Sequence, residues 1–181
     1  MRFTETEIPG AFIIDLEPHT DARGFFARIF CAREFAERGL ITTFAQVNAS
    51  YNDRRGTLRG MHYQDEPAPE AKLVRCVSGA IHDVIVDMRP GSPTFMHHVA
   101  VELSAANRRQ LYIPELCAAG YQTLSDHTEV TYQVSEFYTP ETERGLRHDD
   151  PALGIAWPLP VTEISAKDIA WPLLSPEGLR S

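Results

Sequence analysis

Between residues 71 and 88 the chain reads AKLVRCV, then Ser-Gly, then AIHDVIVDM, and this stretch constrains the fold more than any other. Both flanks are rich in valine and isoleucine, whose side chains are stiff at χ1 and pack best on a pleated backbone. Ser78-Gly79 leaves room only for a tight turn, with Gly79 tolerating the dihedrals that a turn demands. The second flank alternates, with Val84, Val86 and Met88 on one face and Asp83, Ile85 and Asp87 on the other. The same period recurs downstream. HHVAVEL (97–103) puts Val99, Val101 and Leu103 on one face, and EVTYQVSEF (129–137) does so with Val130, Tyr132 and Val134. One helix is predicted at 32–38, where Ala32, Phe35 and Ala36 share a face and Gly39 closes the end. Thirteen prolines and eleven glycines supply turns for many short strands. The predicted fold is mainly β, a sandwich or jelly roll with a few short peripheral helices.

A length of 181 residues suits one domain, 1–181, with the Pro- and Trp-rich stretch 151–181 wrapping around it. The net charge of −8 argues against nucleic acid or an anionic membrane as partner. Three cysteines without CxxC spacing indicate neither a disulfide framework nor a zinc site. The N-terminus MRFTETEIPG lacks the apolar core of a signal peptide, and no run reaches membrane-spanning length. These readings predict a cytoplasmic protein.

The motifs narrow the chemistry. No GxGxxG, GxxxxGK[ST] or GxSxG occurs, so a cradled phosphate and a nucleophile elbow lack support. His97 and His98 are adjacent and would point to opposite faces of a strand; His62 with Glu66 lacks an obvious third ligand, so no metal is predicted. General acid–base chemistry remains. In LRGMHYQ (58–64), His62 can take a proton from a carbon that a neighbouring carbonyl acidifies, because imidazole titrates near neutrality. Lys72 can stabilise the negative charge that then lands on oxygen. Tyr132, in phase with Val130 and Val134, is a candidate acid. Each residue also has an ordinary reading: a core or rim histidine, a packed tyrosine with one hydrogen bond, a lysine that opens a surface strand.

DARGFF (21–26), QVNASYN (46–52), GTLRGMHYQ (56–64), KLVRCVSGAIHDVIVDMRPGSPT (72–94), LSAANRRQLYIP (103–114) and EVTYQVSEFYTPETERGLRHDDPALGIAWP (129–158) resemble the dTDP-4-dehydrorhamnose 3,5-epimerase family. The resemblance covers nearly the whole chain in order. It implies a cupin jelly roll, a homodimer, no metal or organic cofactor, and inversion of C3 and C5 in a nucleotide-linked 4-keto-6-deoxy sugar. It implies His62 as base, Tyr132 as proton donor and Lys72 beside the enolate oxygen. Arg23 and Arg59 would hold the diphosphate, Gln46 and Asn48 would lie near the nucleotide, and Glu143 would make another ligand contact. Asp168 would orient His62, although Ser165-x-x-Asp168 is also a helix-capping signature.

Strict alternation sets Arg59 and His62 on opposite faces, so one pocket can use both only through a bulge or bend, with Gly60 as the natural place. Two departures from the family pattern fall in the ligand region: Arg28 stands where an acidic residue is usual, and Ala119 replaces a pocket histidine in AAG (118–120). Their expected effect is an altered substrate or outcome, including inversion of a single centre. A sugar-nucleotide-binding cupin without catalysis is the alternative of a different class.

Overall fold

The computed structural model describes residues 1–174; residues 175–181 of the expected wrapping segment lie outside the described residues. The chain opens with β1 (Arg2–Glu5), β2 (Phe12–Asp15), β3 (His19–Asp21) and β4 (Gly24–Phe26), followed by α1 (Ala32–Ala36). Next come β5 (Gln46–Asn52), β6 (Leu58–Gln64), β7 (Lys72–Ser78), β8 (Ala80–Asp87) and β9 (His98–Ser104). The remainder holds β10 (Gln110–Ile113), β11 (Cys117–Thr123), β12 (Thr128–Val134), β13 (Glu143–Gly145) and α2 (Ala166–Ala170).

Two antiparallel sheets face each other, ordered β1-β2-β10-β7-β12-β5 and β13-β6-β11-β8-β9, while β3 and β4 form a separate ribbon. This is the jelly roll expected from the sequence. Val101 and Leu103 of β9, Ile81 and Ile85 of β8, and Val130 of β12 meet in the apolar layer between the sheets, as alternation requires. Both outer faces are covered too. Phe35 of α1 packs with Phe3, Phe12, Phe30 and Tyr112 over the six-stranded sheet. Leu153, Ile155 and Trp157 cover Val84, Val86 and Met61 on the five-stranded sheet.

Two local expectations change. The strands flanking Ser78-Gly79 form as predicted but do not pair with each other: β7 pairs with β10 and β12, and β8 with β9 and β11. The turn is a corner between sheets. Gly79 has φ +73°, and a β-carbon there would collide with Ser125 and Thr128. The helix stops at Ala36 rather than 38, and only Phe35 is buried, since Ala32 and Ala36 stay exposed. Burying Phe35 contributes about 1.5–3 kcal/mol, more than so short a helix can draw from its own hydrogen bonds.

Candidate active site

The bend anticipated at Gly60 is present. His62 lies opposite Ala119 and Arg59 opposite Tyr121, so β6 advances three residues while β11 advances two. Gly60 has φ +112°, and a β-carbon on it would sit 2.5 Å from Cα of Gly120 and 2.7 Å from the Ala119 carbonyl oxygen. Glycine alone fits so close a backbone approach. The extra residue turns Arg59 and His62 to the same side, where both line a cavity of about 510 Å³ between the sheets. That volume suits a small organic ligand.

His62 is oriented from the C-terminal segment. Its Nε2 lies 2.6 Å from Oδ1 of Asp168, while Oδ2 of Asp168 accepts the Gly60 amide at 3.3 Å. Ser165 Oγ accepts the Asp168 amide at 3.1 Å, so the capping signature is real, yet the carboxylate of the same residue is turned to the imidazole. Burial works against the charge on Asp168, but the hydrogen bond and charge of His62 and the Gly60 amide prevail and hold its pKa below the ordinary value. An ionised carboxylate only accepts, so Nε2 carries the hydrogen and Nδ1 is left as the basic nitrogen.

The facing sheet carries Lys72 on β7 and Tyr132 on β12, and both line the same cavity. Lys72 Nζ donates to the His62 carbonyl at 3.2 Å and pairs with Glu70 at 3.0 Å. Burial, reinforced by Tyr121 and Glu70 and opposed by Arg59, pushes the Tyr132 phenol above its ordinary pKa, so it stays protonated at neutral pH. Arg59 Nε donates to Asn52 Oδ1 at 2.7 Å, which fixes the guanidinium on the cavity wall.

The remaining predicted residues divide. Ala119 is in the wall, directly across from His62. Gln46 and Asn48 lie beyond Ser50 along the same face of β5, outside the lining itself; Gln46 Oε1 accepts the Tyr138 amide at 3.3 Å. Glu143 also stands back, its two oxygens each 2.6 Å from Nζ of Lys167, a cavity residue. Arg23 and Arg28 do not line the cavity of their own chain. Stretch 19–26 forms the separate β3–β4 ribbon, where the Arg23 side chain is 90% exposed and bound to Asp21 at 2.6 Å. Arg28 is exposed and lies 3.9 Å from Glu34.

Several polar lining residues escape the sequence reading, among them Ser50, Asp83, Tyr121, Glu163 and Lys167. Ser50 continues the alternation of QVNASYN, and Lys167 adjoins Asp168. Asp83 shares its face of β8 with Ile81 and Ile85, which places a carboxyl among interior residues. Among the described residues, no three His, Cys, Asp or Glu side chains converge as metal donors.

An imidazole oriented by a carboxylate can invert a carbon only if something across the cavity returns the proton, and the opposite sheet presents a phenol there. This is an acid–base enzyme built in a jelly roll. The profile of the family described as dTDP-4-dehydrorhamnose 3,5-epimerase matches residues 5–176. The dTDP-4-dehydrorhamnose 3,5-epimerase of Methanothermobacter thermautotrophicus is 45% identical over 94% of this chain and 92% of its own. The Bacillus anthracis enzyme of that name, solved with TDP and PPi bound, superposes with a TM-score of 0.92 at 39% identity, covering 96% of this chain and 99% of that one. The dTDP-6-deoxy-D-glucose-3,5-epimerase of Legionella pneumophila, solved in complex with dTDP-4-keto-L-rhamnose, gives 0.88 at 39% identity over 95% and 92%. The chain belongs to the dTDP-4-dehydrorhamnose 3,5-epimerase family and is an isomerase.

Proposed function

We propose that the chain inverts C3, C5 or both in a 4-keto-6-deoxy hexose carried on a nucleoside diphosphate, with the dTDP sugar as the first candidate. The C4 ketone acidifies both neighbouring carbons. His62 Nδ1 takes the proton, the C–H electrons move into an enolate, and Lys72 stabilises the charge on its oxygen. Tyr132 then delivers a proton to the other face of the same carbon. Asp168 keeps the imidazole in the working tautomer and stabilises the imidazolium. The observation that carries this reading is the placement of His62 and Tyr132 on opposite sheets around one cavity.

Arg59 is suited to the diphosphate, because its planar fork matches phosphate oxygens. Gln46, Asn48 and the Glu143–Lys167 pair extend from the cavity toward the nucleotide. Ala119 forgoes a hydrogen bond worth about 0.5–1.5 kcal/mol, enough to bias one centre over the other without abolishing turnover. We also propose a homodimer, supported by exposed apolar side chains on the ribbon (Phe25, Phe26) and along edge strand β5 (Val47, Tyr51). Arg23 then serves the diphosphate only in the site of a second copy.

The test is NMR in deuterated water with dTDP-, GDP- and CDP-linked 4-keto-6-deoxy sugars. The native protein should incorporate deuterium at an inverted carbon, and His62→Ala should lower that rate on the order of 10²–10⁴ while retaining nucleotide binding. Binding without exchange in the native protein would favour a sugar-nucleotide binder instead.

A further inference from the structure

Among the described residues, Asp83 is the cavity-lining residue whose buried side chain keeps an oxygen without a hydrogen-bond partner. It lies at the middle of β8, opposite Tyr121 of β11 on one side and Val101 of β9 on the other. The residue is 1% exposed, and its Oδ2 has no hydrogen-bond partner among the described residues. Ile81 and Ile85 flank it on its own strand, and Val74 and Val130 line the same cavity. A carboxyl in such surroundings weakens a core unless something meets its free oxygen. Among the described residues no hydrogen bond within the fold does so, and the space beside it is the ligand cavity.

We propose that Asp83 is a further catalytic group, its neutral carboxyl donating a hydrogen bond to the C4 oxygen of the substrate beside Lys72. This rests on the 4-keto sugar reading given above. As the enolate forms, charge collects on that oxygen, and a donor already held in a dry site gains strength in step. The charged and titratable groups that share the cavity with Asp83 are Lys72 of β7, Tyr121 of β11, Tyr132 of β12, Arg59 and His62 of β6, and Glu163, Lys167 and Asp168 of the C-terminal segment, with Cys76 of β7 buried nearby; the inward residues of β9 are apolar. Burial pushes the carboxyl up to about 8, and the attraction of Lys72 offsets this only in part. At neutral pH the group therefore carries its proton. Once ionised it could no longer donate, and it would draw the Lys72 charge away from the substrate.

The decisive experiment compares kcat/KM against pH, which reports groups of the free enzyme, for the native protein, Asp83→Asn and Asp83→Leu. The native profile should fall on the alkaline side through a pH of about 8. Asp83→Asn keeps an N–H donor and cannot ionise, so that limb should vanish. Asp83→Leu should lose on the order of 10²–10³ in kcat while still binding dTDP by calorimetry. An unchanged alkaline limb in Asp83→Asn overturns the proposal, as does native turnover in a dTDP-binding Asp83→Leu. If Asp83→Leu fails to fold, the Asp83→Asn profile decides. Absence of solvent exchange in the native protein with all three nucleotide sugars overturns the functional reading as well, a result distinct from active but insensitive Asp83 variants.

Discussion

Tyr132 separates two events that share one carbon, removal of the proton and its return to the other face. Its ring packs against the interior layer beside Val130, and the opposite wall holds His62. Tyr132→Phe deletes the hydroxyl and leaves the packing. Deuterium should still enter the sugar by way of His62, whereas inversion should fall on the order of 10²–10⁴. Parallel loss of exchange and inversion, followed by NMR on one sample, would assign Tyr132 a structural role. Its inward orientation is legible in the sequence, because alternation with Val130 and Val134 points the phenol into an apolar layer. Asp83 is not legible in the same way. Strand β8 is buried on both faces, Ile81 and Ile85 packing into one apolar layer and Val84 and Val86 into another, so period-two alternation no longer distinguishes inside from outside. Asp168 is ambiguous for another reason: one residue serves as a capped helix position through its amide and as the partner of His62 through its carboxylate.

At the scale of the element, the bulge in β6 brings Arg59 and His62 into one cavity. Gly60→Ala would place a methyl against the backbone of β11 and force alanine to φ +112°. Strain of this kind costs about 1–3 kcal/mol, and relief by flattening the bulge would rotate Arg59 or His62 out of the cavity. We expect a lower thermal midpoint together with a kcat reduced by more than about tenfold, since angstrom-scale misplacement of reacting groups is expensive. Native kcat in a folded Gly60→Ala protein would show that the bulge is not what positions His62. The sequence reveals this element through a conflict, two candidate site residues in the wrong phase around a glycine. The corner at Gly79 shows the reverse. Strand, turn and strand read the same whether the flanks pair or part into two sheets, and only the partners β9–β12, distant in sequence, decide.

For the whole molecule, the carboxyl that suits the cavity is a burden on the fold. In the unfolded chain Asp83 has its ordinary value of 3.8 and is ionised at neutral pH, whereas the folded protein holds its pKa up to about 8. Folding must therefore take up a proton over that interval. The stability that Asp83 permits is fully present below pH 3.8 and is lost as pH rises to about 8. At about 1.4 kcal/mol per pKa unit the penalty near pH 7 is roughly 4 kcal/mol, a large share of the 5–15 kcal/mol typical of whole domains. Asp83→Asn has nearly the same shape and no proton to recover. Its thermal midpoint should exceed the native one at pH 7 to 8, and the difference should close as pH falls below 3.8, where the native carboxyl becomes protonated in both states. Lys72 supplies the opposing outcome. Were Asp83 ionised and paired with that ammonium in the folded protein, Asp83→Asn would leave the buried cation with Glu70 alone and lower the midpoint at every pH above about 4. Melting curves across this range decide between them, and an Asp83→Asn enzyme that is stabilised and has lost the alkaline limb is the pattern expected of a residue kept for its chemistry at the expense of the fold.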